Sequence, residues 1–179
     1  MKTMPLLIAL LATAAACSNA GGQAAAQNKE SAAQTSALAG LGGAPKGPIY
    51  TKEAGETLAL SGYDAVSYFN ASAPMQGKAD YTVRYQGYDY RFANADNAKT
   101  FEADPAKYAP QYGGYCAWAI GANDALAPGD PNVYKIVDGK LYLNFNKAVA
   151  QKWAVDIPGF ISKGDINYAG HDADEHYTN

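Results

Sequence analysis

Cysteine and histidine are scarce in this chain of 179 residues, and their scarcity limits the chemistry available to it. The only cysteines are Cys17 and Cys116, and both histidines, His171 and His176, lie near the C terminus. A framework of several disulfides is therefore excluded. A nucleophile that needs a histidine base would have to find it in this C-terminal segment.

Basic residues are not in excess either. Lysine and arginine number 14 against 17 acidic residues, which gives a formal net charge of -3. A nucleic-acid-binding domain usually shows a basic patch, so we expect no nucleic-acid partner.

The N terminus has the pattern of a secretory signal. Met1-Lys2 is followed by a short apolar run at 6–12 and by small residues up to Cys17. The run is too short to span a bilayer, which takes about 20 apolar residues. We predict a signal peptide over 1–16. Either Cys17 is incidental to an ordinary cleavage site, or it is itself the modified residue.

The segment resembles a bacterial lipoprotein signal, which implies that Cys17 is lipidated and becomes the first residue of the mature protein. Ser18 stands where an aspartate would favour inner-membrane retention in that class. The resemblance therefore implies a palmitate-type anchor in the outer membrane, with the rest of the chain facing the periplasm.

Composition divides the remainder into three parts. Residues 17–47 are rich in Ala, Gly, Gln and Ser and have almost no bulky apolar residues, so we predict a flexible linker. Residues 48–170 form one predicted domain, and residues 171–179 form an acidic tail.

The fold class is predicted from two similar units. Residues 81–85 and 88–92 alternate as strands around Gln86-Gly87, and residues 133–137 and 140–145 do so around Asp138-Gly139. Asn94 and Asn146 each cap a predicted helix. We therefore predict an α+β fold in which two β-hairpin–helix units form a small antiparallel sheet with helices packed on one side.

The two units align without gaps. The aligned pairs are Gly87 with Gly139, Tyr90 with Tyr142, Asn94 with Asn146, Ala98 with Ala150, and Phe101 with Trp153. The match arises either from duplication or from caps and aromatic anchors that any two such units would share.

Five segments carry a family resemblance. They are Gly-Tyr-Asp-Ala-Val-Ser-Tyr-Phe at 62–69, Tyr-Arg-Phe at 90–92, Phe-Glu-Ala-Asp-Pro-Ala-Lys-Tyr at 101–108, Tyr-Gly-Gly-Tyr-Cys at 112–116 and Asp-Ile-Pro-Gly at 156–159. These segments resemble the secreted branch of the bacterial YHS-domain family, and the resemblance covers 61–168.

The family resemblance implies a fold more than an activity. Many YHS domains carry cysteines and occur with copper-transport proteins, so copper or zinc is a possible cofactor by resemblance. The matching positions here hold Ser67, Ala93 and Asn97. None is a soft ligand, so a thiolate site for copper or zinc is not available there.

Residues 109–131 form a long glycine- and proline-rich connection with candidate site residues. Cys116 is either a reactive thiol beside Gly113 and Gly114 or a buried small apolar residue. The aromatic residues either line a ligand pocket or belong to the core; they are Tyr63, Tyr68, Tyr112, Tyr115 and Trp118.

Two further groups of polar residues can also be interpreted either as a site or as part of the structure. Asp64 and Asp104 either pair as a carboxylate site or serve separately as cap and turn residues. His171 and His176, with the carboxylates between them, either hold a divalent cation or belong to a solvated tail.

From these features we expect a lipid-anchored module, not an enzyme, that binds a small ligand or a metal ion. Two alternatives remain open: a redox enzyme or metallochaperone acting through Cys116, and a structural lipoprotein of the envelope. The expected partners are the membrane, through the lipid, and a small ligand or an envelope protein.

Overall fold

The computed structural model describes Gly43 and residues 46–177. The predicted signal peptide, the lipidation site Cys17 and most of the predicted linker lie outside these residues. No helix in the described part of the chain is long and apolar enough to cross a membrane.

The predicted α+β class is confirmed. The helices are α1 (Ser67–Asn70), α2 (Ala95–Ala103), α3 (Pro105–Tyr108), α4 (Ala117–Asn123), α5 (Lys147–Trp153) and α6 (Ile157–Tyr168), and the strands are β1 (Lys78–Tyr85), β2 (Tyr88–Phe92), β3 (Asp130–Val137) and β4 (Lys140–Asn144). Two 3₁₀ turns, Ala59–Gly62 and Gln111–Gly114, precede α1 and α4.

The hairpins form two separate two-stranded sheets rather than the single sheet expected from the sequence. The edges of β2 and β4 are already occupied within their own units. Leu58 bridges Asp89 on β2, and Cys116 bridges Leu143 on β4, each in parallel orientation.

A structural repeat with a constant spacing organises the described chain. Each residue of the first unit has its counterpart 52 positions later, as in Gly87 and Gly139. The spacing holds for β1 and β3, for β2 and β4, and for the two 3₁₀ turns. Both hairpins also have an irregular register at the same point, after Lys78 and after Asp130.

Details of the backbone repeat with the same spacing. Leu60 and Ser61 have φ values of 52° and 51°, and Tyr112 and Gly113 have 54° and 59°. The left-handed region is costly for residues with a Cβ atom, so two matching pairs indicate a shared turn design, not chance. We therefore describe the fold as two structural repeats, 59–108 and 111–168.

Hydrogen bonds follow the repeat as well. Asp64 N donates to Met75 O at 2.8 Å, and Cys116 N donates to Ala127 O at 2.8 Å. These bonds fix the segment that leads from each 3₁₀ turn to the following helix. They place Asp64 and Cys116 at equivalent positions.

The repeats share one of two apolar clusters. The first surrounds Phe101, and it includes Leu141 and Leu143 from the second hairpin. The second contains Tyr142 and Trp153 with the residues that lead into α4. Phe101 and Trp153 are buried on their hairpins, as the sequence predicts.

Candidate functional site

Asp64 is a buried carboxylate surrounded by hydrogen-bond donors. Its Oδ1 accepts from Val66 N at 2.9 Å and from Ser67 N at 3.2 Å. Its Oδ2 accepts from Ala93 N at 2.9 Å and from Asn97 Nδ2 at 2.6 Å. The side chain is 0% exposed, so these bonds replace its hydration. Asp64 therefore ties the α1 segment to the end of β2 and to α2.

Cys116 occupies the same position in the second repeat. Burial raises the pKa of its thiol, while the backbone N–H groups of Ala119, Phe145 and Trp118 act in the opposite direction. These three residues are the counterparts, 52 positions later, of Ser67, Ala93 and Val66.

The sulfur of Cys116 therefore sits in a cradle equivalent to the one that holds the Asp64 carboxylate, formed by the N–H groups of Ala119 and Phe145. The third counterpart, Trp118 N, donates to Asn144 Oδ1 at 3.2 Å. The fourth donor is missing, because Val149 stands at the position of Asn97. The thiol instead donates to Asn144 Oδ1 at 3.7 Å.

The surroundings of Cys116 do not suit nucleophilic chemistry. The residue is 0% exposed, and burial disfavours the thiolate form that reacts. The glycines that precede Cys116 allow the backbone of the N-terminal segment to approach closely, and Tyr50 N donates to Gly113 O at 3.0 Å. A Cβ atom at Gly113 would lie 2.2 Å from Pro48 O, which explains the glycine there.

The structure does not bring the predicted aromatic residues into one pocket. Tyr115 is buried against Tyr50, with 5.4 Å between ring centroids. Tyr63 Oη accepts from Asn132 Nδ2 at 3.2 Å near the surface. Lys152 Nζ lies 5.0 Å from the ring centroid of Trp118. Of the predicted set, Tyr112 contributes to a cleft.

This cleft, which we call the junction cleft, has a volume of about 210 Å³. The first hairpin contributes Tyr85 and Tyr90, α3 contributes Ala106, and the second 3₁₀ turn contributes Gln111 and Tyr112. Lys46 and Ile49 from the N-terminal segment and Tyr168 from α6 complete it.

The cleft exists because the two repeats end differently. Asp104 and Asp156 cap equivalent helices, but α3 stops at Tyr108 whereas α6 continues to Tyr168. Pro110 follows α3 closely and cannot continue a helix. In the second repeat the matching space is closed, since Tyr112 Oη donates to Ile161 O of α6 at 3.2 Å.

Neutral hydroxyl groups dominate the cleft wall. Burial raises the pKa of Tyr90, Tyr112 and Tyr168, which keeps all three protonated. Tyr168 Oη donates to Pro48 O at 2.8 Å, and Tyr112 Oη lies 3.0 Å from Asp165 Oδ1. Tyr90 Oη makes no hydrogen bond within the described residues, although the residue is only 1% exposed. Its donor is therefore available to a ligand.

The C-terminal histidines are engaged separately. His171 Nδ1 contacts Glu175 Oε2, and its Nε2 lies 3.3 Å from Asp124 Oδ1. His176 Nε2 lies 3.0 Å from Thr51 O, and its ring stacks on Tyr50. Residues 171–177 therefore pack on the domain. Within Gly43 and 46–177, no three groups from His, Cys, Asp and Glu are placed to hold a metal ion.

Sequence reasoning missed Tyr85, Tyr90, Gln111 and Tyr168 as cleft residues. Tyr85 and Tyr90 were explained by strand alternation alone. The signal available in the sequence was the different length of the helical segments that follow the caps Asp104 and Asp156. The shorter helix after Asp104 leaves the first hairpin less covered than the second.

Comparison with known proteins identifies no relative. No family model, no curated protein and no solved structure matches the chain.

Proposed function

We propose that this chain is a lipid-anchored, periplasm-facing binding module of the outer membrane, and that a small ligand occupies the junction cleft. The observation that carries the proposal is the cleft itself. It is open beside the first hairpin, whereas α6 fills the equivalent space in the second repeat. Tyr90 lines the cleft, and its hydroxyl has no hydrogen-bond partner among the described residues, which supports a binding site there.

The size of the cleft limits the ligand. Pockets for drug-sized ligands enclose roughly 300–1,000 Å³. The junction cleft encloses about 210 Å³, so its ligand is a small molecule. The YHS-like segments agree with an accessory role but specify no ligand.

The described residues favour binding over catalysis. The cleft contains neutral tyrosines, the amides of Gln86 and Gln111, and Lys46, but no described histidine, cysteine or glutamate. The buried thiol of Cys116 and the separate placement of the histidines likewise give no support to a thiol-based or metal-based activity.

The binding proposal is tested by blocking the cleft. Ala106→Trp adds a large ring at an exposed position that lines the cleft, and Ala103→Trp makes the same change at an exposed position of α2 away from it. Backbone amide shifts are followed by NMR while small aromatic alcohols, acids and amines are added at millimolar concentration. We expect shifts around Tyr90 and Gln111 in the native protein and in Ala103→Trp, but not in Ala106→Trp. If no probe shifts these residues, or if Ala106→Trp does not change the response, the binding proposal is wrong.

The anchoring proposal is tested at Cys17. Labelled palmitate should be incorporated by cells that produce the full chain, and Cys17→Ser should abolish the label. Labelling that persists in Cys17→Ser would contradict anchoring through this residue.

A further inference from the structure

A second hollow adjoins the junction cleft and carries unpaired positive charge. It has a volume of about 390 Å³ and shares Lys46, Gln111, Tyr112 and Tyr168 with the cleft. Lys140, the first residue of β4, lines this second hollow. The two spaces therefore form one site with an inner and an outer part.

The lysines of this site have no anionic partner. Within Gly43 and 46–177, neither Lys46 nor Lys140 forms an ion pair, although the chain as a whole carries a net charge of -3. The carboxylate of Asp165 also lines the outer part, but it is engaged by Tyr112 Oη at 3.0 Å. The charged residues that line the outer part are thus two lysines and one carboxylate that is already hydrogen-bonded.

The inner part has a different character. The rings of Tyr85 and Tyr90 and the side chain of Ile49 provide apolar surface, and Tyr90 Oη is a free neutral donor. A hydroxyl held protonated donates well to an anionic oxygen, because hydrogen bonds to charged acceptors are the stronger kind.

We infer that the junction cleft binds a small carboxylic acid with an aromatic or apolar body. This inference rests on the proposed function and specifies the ligand class for the same site. The apolar body packs against Tyr85 and Tyr90 in the inner part. The carboxylate accepts a hydrogen bond from Tyr90 Oη and lies on the side of Lys46 and Lys140, where two cations offset its charge.

The charge preference is measured with three probes of similar shape: benzoate, benzyl alcohol and benzylamine. Dissociation constants are obtained from NMR titrations at low and at high salt. We expect benzoate to bind more tightly than the alcohol and the amine to bind most weakly. The advantage of benzoate should shrink at high salt, because exposed charges are screened.

Variants then assign the preference to the lysines. Lys46→Gln and Lys140→Gln should each weaken benzoate binding about two- to fivefold, the range expected for partly exposed ion pairs, and leave benzyl alcohol unchanged. Lys147→Gln is the matched control, since this exposed lysine of α5 lines neither part of the site. Tyr90→Phe should weaken benzoate binding with little effect on the stability of the fold.

The outcomes separate this inference from the proposed function. If benzyl alcohol binds in the cleft as tightly as benzoate, or if both lysine variants bind benzoate like Lys147→Gln, the acid preference is wrong while the binding site stands. If none of the three probes shifts the cleft residues, the proposed function fails together with it.

Discussion

The Cys116→Asp variant would place a carboxylate at the position that is equivalent to Asp64. In the first repeat the Asp64 carboxylate is held by hydrogen-bond donors. The cradle offers the N–H groups of Ala119 and Phe145, which correspond to two of the four donors around Asp64, while Trp118 N donates to Asn144 Oδ1 at 3.2 Å. The change is therefore expected to be tolerated, although it introduces a charge at a position that is 0% exposed.

The magnitude follows from two opposing effects. Removing a carboxylate from water costs several kcal/mol even after the protein relaxes. A hydrogen bond to a charged group contributes about 1.5–3 kcal/mol, so two such bonds offset about 3–6 kcal/mol of that cost. The amide of Asn144, whose Oδ1 lies 3.7 Å from the sulfur, can also rotate to donate, and this rotation releases Trp118 N as a further donor. We expect Cys116→Asp to lower the free energy of unfolding by no more than about 2 kcal/mol.

The neighbouring Ala117 gives the matched control. It is 0% exposed and packs in the apolar cluster with Tyr142 and Trp153, where no carboxylate cradle exists. Ala117→Asp should cost at least about 4 kcal/mol, because the desolvation is not offset. Urea unfolding followed by circular dichroism at neutral pH measures both variants. If Cys116→Asp loses as much stability as Ala117→Asp, the cradle does not stabilise an anion and the equivalence with Asp64 is only geometric.

Three further predictions concern stability. Asp64→Ala leaves the donors Val66 N, Ala93 N and Asn97 Nδ2 without an acceptor and should cost at least about 3 kcal/mol in urea unfolding, whereas a loss below about 1 kcal/mol would contradict its role. Gly129→Ala should lower the melting temperature, because a Cβ atom there would lie 2.3 Å from a backbone oxygen; Gly139→Ala, which has open space, should lower it less, and equal losses would count against this explanation. The hydrogen bond from His171 holds the pKa of Glu175 below its usual 4.5, so the contact favours the packed tail above that pH and is lost as pH falls. The protection factors for hydrogen exchange in residues 171–177, which correct for the intrinsic pH dependence of exchange, should then fall at low pH in the native protein but change little with pH in Glu175→Gln.

The hairpins and caps were predictable because their signals are local. Asp138-Gly139 sits in the left-handed conformation that a two-residue hairpin turn requires. Asn146 Oδ1 accepts from Val149 N at 2.9 Å, as a helix cap should. In these segments the residues that define the element lie next to one another in the chain.

The helices α4 and α6 were not predicted, since their stability depends on packing. Each contains a glycine, which disfavours an isolated helix. A Cβ atom at Gly121 would lie 2.3 Å from Phe160 O, and one at Gly164 would lie 2.7 Å from Tyr112 Oη. Gly121 permits the close contact between α4 and α6, and Gly164 permits the close contact between α6 and the second 3₁₀ turn. Such reasons become visible only once the elements are in place.

The site was predicted in part for the same reason. Asp64 as a turn residue follows from its neighbours, and Val66 N and Ser67 N do bond to it. Its bonds to Ala93 N and Asn97 Nδ2 join segments far apart in the chain. The junction cleft depends on a missing stretch of helix, and a space between elements has no signature in any single segment.

The shared apolar cluster has a consequence for how the molecule folds and how it arose. Leu141 and Leu143 of the second hairpin complete the core around Phe101 of the first, so cutting the chain between the repeats would expose both pieces. Domains of about 50 residues are marginal even with a core of their own. The repeats should therefore unfold in one cooperative transition. If they descend from a single ancestral unit, that unit needed a second copy of itself before it could fold, and covalent fusion made a self-associating pair permanent.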